Sequence, residues 1–175
     1  MILRKKVLVV EDNELNRALL SEILSSEYQV LEAENGQVAL DILKQHKDSI
    51  ALILLDVRMP VMDGYTFLDK VKADDELALI PVIVMTQGDS EEDEVAALSH
   101  GATDFVPKPY RPRVILHRMA NLIKLRETAA LDSLRKEDLP LAICLFDLDD
   151  FKTVNDTCGH DAEGFRFAGN VTLNK

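Results

Sequence analysis

An unbroken apolar run, Ile50 to Leu55, ends abruptly in an acid, Asp56. A strand with one wet face alternates apolar and polar residues. A run with no alternation needs cover on both faces, as at the centre of a parallel sheet. Parallel neighbours in turn need crossovers of roughly a dozen residues or more, and these are usually helices. This stretch therefore predicts a layered α/β chain, and residues 5–126 supply the parts. Val7–Val10, Tyr28–Leu31, Val82–Met85 and Phe105–Val106 read as further short strands. Between them apolar residues recur at helical spacing. The first set is Leu15, Ala18, Leu19, Ile23 and Leu24 behind the possible caps Asp12 and Asn13; the second is Val38, Leu40, Ile42 and Leu43. Gly64 opens a third helix carrying Phe67, Leu68 and Val71. Ser90 caps a fourth, with Glu91 to Glu94 in a first turn where negative charge suits the helix dipole, and Gly101 ends it. Arg111 to about Lys136 reads as one long helix with Ile115, Met119, Leu122, Leu125 and Ala129 on its apolar side. Alternating units of this length imply a parallel sheet with helices on both faces.

Charge narrows the function. Asp and Glu number 31 against 20 Lys and Arg, a formal net charge of −11. That balance argues against nonspecific binding to nucleic acid or to an anionic membrane, while an acidic site still draws a divalent cation. The apolar runs are far too short to span a bilayer, and Val7–Val10, ended by acid, is too short for a signal peptide. Cys144 and Cys158 lack CxxC spacing, and His46, His100 and His117 share no metal-ligand spacing. The expectation is a cytoplasmic chain with reduced thiols and no zinc site.

The chemistry lies in the polar residues that follow the strands. Glu11 and Asp12 follow the first, Asp56 the third, Thr86 the fourth and Lys108 the fifth. In a parallel sheet these ends share one edge, where α/β proteins bind their ligands. Clustered carboxylates repel one another, and a hard cation with oxygen ligands, such as Mg²⁺, relieves the repulsion. One carboxylate can then act as nucleophile towards a phosphoryl group, with Lys108 and Thr86 contacting the transferring oxygens. Taken singly, Asp12 reads equally as a helix cap, Lys108 as a solvated lysine and Thr86 as an ordinary strand end. Asp56 is harder to dismiss, because an acid closing an apolar strand is costly without a partner. Their joint placement favours function.

The stretches VLVVEDN, LILLDVRMPVMDGY, PVIVMTQ and DFVPKPY, in this order and spacing, resemble the receiver domain of two-component response regulators over about residues 4–126. The resemblance implies a flavodoxin-like (βα)5 fold with sheet order 2-1-3-4-5. It implies Asp56 as phosphoacceptor, charged by a sensor histidine kinase or a phosphotransfer protein. Glu11, Asp12 and Asp56 would hold Mg²⁺ with the Arg58 backbone carbonyl. Thr86 and Phe105 would form the switch, the hydroxyl moving to the phosphate and the ring turning inward. Lys108 and Pro109 match a pair whose peptide bond is typically cis. A homodimer through the fourth helix, fifth strand and fifth helix is the implied response. Glu11 is one methylene longer than the alternative Asp, Phe105 lacks a hydroxyl, and Gln87 is bulkier than the small residue often found there.

After Glu137-Asp138 and Pro140, a strand over Leu141–Phe146 starts a second resemblance. LAICLFDLDDFKTVNDTCGHDA is similar to the start of a GGDEF-type diguanylate cyclase. That likeness implies Asp147 and the Leu148 carbonyl at metal, Phe151 and Lys152 at phosphates and Asn155 at guanine. It departs at Glu163-Gly164, where the family has Gly-Asp, and the signature loop is absent. The expected organisation is a receiver domain over 1–126, a linker helix and link over 127–140, and an incomplete cyclase-like segment over 141–175. The expected function is a phosphoacceptor switch rather than an enzyme; a receiver-regulated cyclase and an inert interaction module are the alternatives.

Overall fold

The computed structural model describes residues 4–87 and 91–136. Five strands, β1 (Lys6–Val10), β2 (Gln29–Ala33), β3 (Ile50–Asp56), β4 (Val82–Thr86) and β5 (Asp104–Pro107), form one parallel sheet in the order β2-β1-β3-β4-β5. The helices are α1 (Glu14–Leu24), α2 (Gly36–His46), α3 (Gly64–Lys72), α4 (Glu91–Ser99) and α5 (Pro112–Lys136). The expected order is found, and β3 lies at its centre with Leu52 to Leu55 fully buried. Burial on both faces is why that run carries no polar residue.

Two apolar layers cover the sheet. On one face Leu8, Val10, Ile53, Leu55, Val82 and Val84 pack with Leu43 of α2, Phe67, Leu68 and Val71 of α3, and Ala97 of α4. On the other, Val7, Val9, Leu52, Leu54, Ile83 and Met85 pack with Leu20 and Leu24 of α1 and Ile115, Met119 and Ile123 of α5. Successive strand residues alternate between the two layers, as the pleat requires.

Two helices differ from their expected faces. In α1, Leu15 and Leu19 are 80% and 51% exposed, and the neighbouring row, Leu20 and Leu24, faces the sheet. Two adjacent apolar rows leave the period satisfied either way, so only the helix's seat on the sheet selects between them. In α5, Ile115 and Met119 are buried as expected, whereas Leu125 and Ala129 are exposed. The 25 residues of α5 reach roughly 38 Å, while the seven of β3 span roughly 23 Å. Arg126 marks the overrun: its guanidinium donates to the carbonyls of Ile50 (2.9 Å) and Ala51 (3.3 Å), the first residues of β3. Asn13, with its side chain accepting from the Asn16 N–H, is the cap of α1, which leaves Asp12 for other work. Ser90 and the expected strand over Leu141–Phe146 lie outside the described residues.

Candidate functional site

Strand register brings the polar ends together. Val10 pairs with Leu55, so Glu11 stands beside Asp56. Asp56 pairs with Met85 and Thr86 with Pro107, so Thr86 and Lys108 each fall one residue further along the same edge. All five strand-end residues expected at one site are there, and Arg58 and Phe105 adjoin it: Arg58 lines the same cavity as Thr86, and Phe105 pairs with Val84 on β4. The positions assigned to a cyclase-like site, Asp147, Leu148, Phe151, Lys152 and Asn155, lie outside the described residues.

Carboxylate oxygens of Glu11, Asp12 and Asp56 lie within 4.8 Å of one another, with Glu11 and Asp56 buried and Asp12 exposed. Lys108 spans the buried pair, its Nζ 3.0 Å from Glu11 Oε2 and 3.0 Å from Asp56 Oδ1. The Val57 N–H donates to Asp56 Oδ1 at 2.9 Å. Burial pushes the Asp56 carboxyl up; the Lys108 hydrogen bond opposes this, and the Glu11 charge adds to it. An all-oxygen donor set crowded this closely, with one member open to solvent, fits a hard divalent cation such as Mg²⁺.

Around this centre the backbone is tightly arranged. The Gly64 N–H donates to the Val57 carbonyl at 2.9 Å, and a side chain at Gly64 would stand 2.2 Å from the Asp56 carbonyl oxygen. Only glycine therefore lets the start of α3 abut the end of β3. The linking loop turns at Val61, whose φ is 69° and whose neighbour Met62 returns its N–H to the Pro60 carbonyl at 2.7 Å. A β-branched residue at such a φ is strained by about 1–3 kcal/mol. The Lys108–Pro109 bond is cis, as the resemblance implies. Arg17 donates to the carbonyls of Glu11 (2.8 Å) and Asp12 (3.3 Å), pinning the acidic turn from α1.

A shallow cavity of about 240 Å³ opens beside Asp56, lined by Val57, Arg58, Tyr65, Thr86, Gln87 and Asp93. Thr86 is buried, and Phe105 half-buried on the neighbouring strand. Tyr65 stacks on His100, ring centroids 4.5 Å apart.

One residue at the centre escaped the sequence reading. Tyr110 donates its hydroxyl to Glu11 Oε2 at 2.8 Å. Burial, and after it the Glu11 charge, pushes the phenol up, so it stays a donor. The signal was present in DFVPKPY, two residues past Lys108, but 99 residues of separation hid the partner.

With this geometry in view, the chain matches the family model described as response regulator receiver domain over residues 7–120. The transcriptional regulatory protein CpxR of Escherichia coli strain K12 is 39% identical over 120 residues, which are 68% of this chain and 49% of that protein. The receiver domain of sensor histidine kinase PA1611 from Pseudomonas aeruginosa PAO1, solved with a magnesium ion coordinated in its active site cleft, superposes with a TM-score of 0.64 at 26% identity. That match covers 69% of this chain and 98% of the other. A two-component response regulator/GGDEF domain protein gives a TM-score of 0.67 at 28% identity, covering 71% of this chain and 51% of that one. The chain spans about half the length of the curated relatives it matches, or less.

Proposed function

Because the chain belongs to the response regulator receiver family, we propose that Asp56 is the phosphoacceptor of a two-component phosphorelay. Its donor is a phosphohistidine on a sensor kinase or a phosphotransfer protein. The supporting observation is a buried acid at a strand end, 2% exposed, with the Lys108 ammonium at 3.0 Å and two further carboxylates beside it. In the transfer, an Asp56 oxygen bonds to phosphorus as the phosphorus–nitrogen bond of the donor breaks. The electron pair stays on the imidazole nitrogen, which then takes up a proton.

Glu11, Asp12 and Asp56 would hold Mg²⁺ together with the Arg58 carbonyl. Bound there, Mg²⁺ supplies neutralisation of the charge on the transferring oxygens. Lys108 leaves Glu11 to contact a phosphoryl oxygen, and the Thr86 hydroxyl turns to another. The half-buried Phe105 ring moves into the space Thr86 vacates, which repacks the face built from α4, β5 and α5. Exposed Val95 and Leu98 on α4 and Val114 on α5 make that face a route to a homodimer. Gln87, lining the cavity beside Thr86, sets access to the phosphoryl group.

Acetyl phosphate with Mg²⁺ tests the core of this reading by intact mass. Wild type gains one phosphate, Asp56→Asn gains none, and chelating the metal stops the gain; equal labelling of both proteins would end it.

The match to a response regulator/GGDEF domain protein favours a second reading for the output. Residues 1–126 are then a receiver, 127–140 a linker, and 141–175 the beginning of a nucleotide-cyclising domain under its control. GTP with Mg²⁺ tests it: formation of a cyclic dinucleotide by the chain would overturn the reading as a phosphoacceptor switch alone.

A further inference from the structure

Four donors hold the Glu11 carboxylate. At 1% exposure it needs partners. Oε1 accepts from the Asn13 N–H and from Asn16 Nδ2, each at 3.3 Å. Oε2 accepts from Lys108 Nζ at 3.0 Å and from the Tyr110 hydroxyl at 2.8 Å. The last two bonds differ in what they allow. Lys108 brings a full positive charge to the carboxylate that a cation would share, so the ammonium and a divalent ion oppose each other there. A phenol hydroxyl adds no net charge, so it keeps its bond while a cation sits on the other side of the carboxylate. It also opposes a loss that comes with the longer arm: a glutamate has one more rotatable bond than an aspartate, and that freedom weakens any site that must hold it still.

We propose that Tyr110 is a positioning residue for the cation: its hydroxyl fixes the long Glu11 arm so that the carboxylate meets the ion with Asp12 and Asp56 once Lys108 has turned away. The inference rests on the phosphoacceptor reading, because that reading is what calls Lys108 off Glu11. It goes beyond it in assigning Tyr110 and Glu11 as a matched pair. Tyr110 suits the task because its ring is fixed from two sides. The ring packs against the apolar layer under α5, and the Lys108 ammonium lies 5.6 Å from its centroid. The hydroxyl therefore has little freedom to wander from Glu11. Partners that orient a metal-ligating carboxylate typically change metal affinity by about 10–100-fold when removed.

The test is calorimetric titration of Mg²⁺ into the full chain for wild type, Tyr110→Phe, Glu11→Asp and the double variant, with melting temperatures taken in the absence of the ion. Tyr110→Phe keeps the ring and is expected to weaken Mg²⁺ by about tenfold, with the metal-free melt little changed. In the Glu11→Asp background the shortened arm no longer reaches the hydroxyl, and the same substitution is expected to change affinity by less than about twofold, the ordinary scatter between independent sites. Equal affinity for wild type and Tyr110→Phe would overturn the proposal. So would an equal loss in both backgrounds, which would mean that Tyr110 acts through the fold and not through Glu11. If wild type takes up no Mg²⁺, the phosphoacceptor reading itself falls, and the positioning role with it.

Discussion

Helices α3 and α4 are each nine residues long and lie against the same apolar layer, yet they are seated very differently. Helix α3 buries Phe67, Leu68 and Val71 completely and starts on a capped turn, where the Asp63 carboxylate accepts from the Thr66 N–H at 3.0 Å and its hydroxyl at 2.7 Å. Helix α4 buries Ala97 alone and leaves Val95 59% and Leu98 50% exposed. Burying a large apolar side chain is worth about 1.5–3 kcal/mol, so α3 is anchored several-fold more firmly than α4. Weakly anchored elements are the ones that open or shift at low cost. Both helices border the cavity beside Asp56, through Tyr65 and Asp93. One wall of the site is thus fixed and the other is cheap to move. That arrangement suits the proposed switch, in which the buried acid keeps its geometry while a surface elsewhere changes.

The strongest way to break this contrast is at its fixed side. Phe67→Ala removes the largest fully buried side chain among the described residues and is expected to cost about 3–5 kcal/mol, read from denaturant unfolding; a loss as small as that of a surface substitution would show that α3 is not the anchor. A smaller effect lies at the cap. Asp63→Ala is expected to cost about 1 kcal/mol at neutral pH. The pH dependence follows from the Asp63 carboxyl, which the Thr66 backbone N–H, and then the Thr66 hydroxyl, hold below its usual 3.8. A depressed carboxyl contributes stability above its unfolded value and loses it as pH falls through the folded one. The difference between wild type and variant is therefore full at neutral pH and shrinks progressively as pH falls below 3.8. Unfolding curves at two pH values check this, and a difference that persists in acid would count against the cap. The smallest effect is expected on α4, where Leu98→Ala should change stability by less than about 0.5 kcal/mol. A cost comparable to that of Phe67→Ala would erase the contrast.

Parts of this picture were legible before any coordinates. The unbroken Ile50–Leu55 run demanded a doubly covered strand, and β3 occupies the sheet centre. Glu11, Asp12, Asp56, Thr86 and Lys108 were each recognisable as strand-end residues, and a parallel sheet can only collect strand ends on one side. The α1 face was not legible. Leu15, Leu19, Leu20, Ile23 and Leu24 form two adjoining apolar rows, and helical periodicity accepts both. Nor was the α5 face past Met119, because where the sheet stops is not written in the helix. Tyr110 also stayed hidden: a hydroxyl two residues after Lys108 carries no local mark of bonding to Glu11, 99 residues away.

The amino-acid order alone determined the succession of strands and helices, the parallel sheet and the set of polar residues at its edge, because those follow from periodicity and from the cost of burying unpaired groups. Tertiary structure alone decided which helical row turned inward, how loosely α4 sits, and that the Glu11 oxygens meet Lys108 and Tyr110 together. The physical reason is range. Propensity and pattern act over a few residues, whereas hydrogen bonds around a buried carboxylate are set by strand register across the whole sheet, and register exists only once the layers have packed.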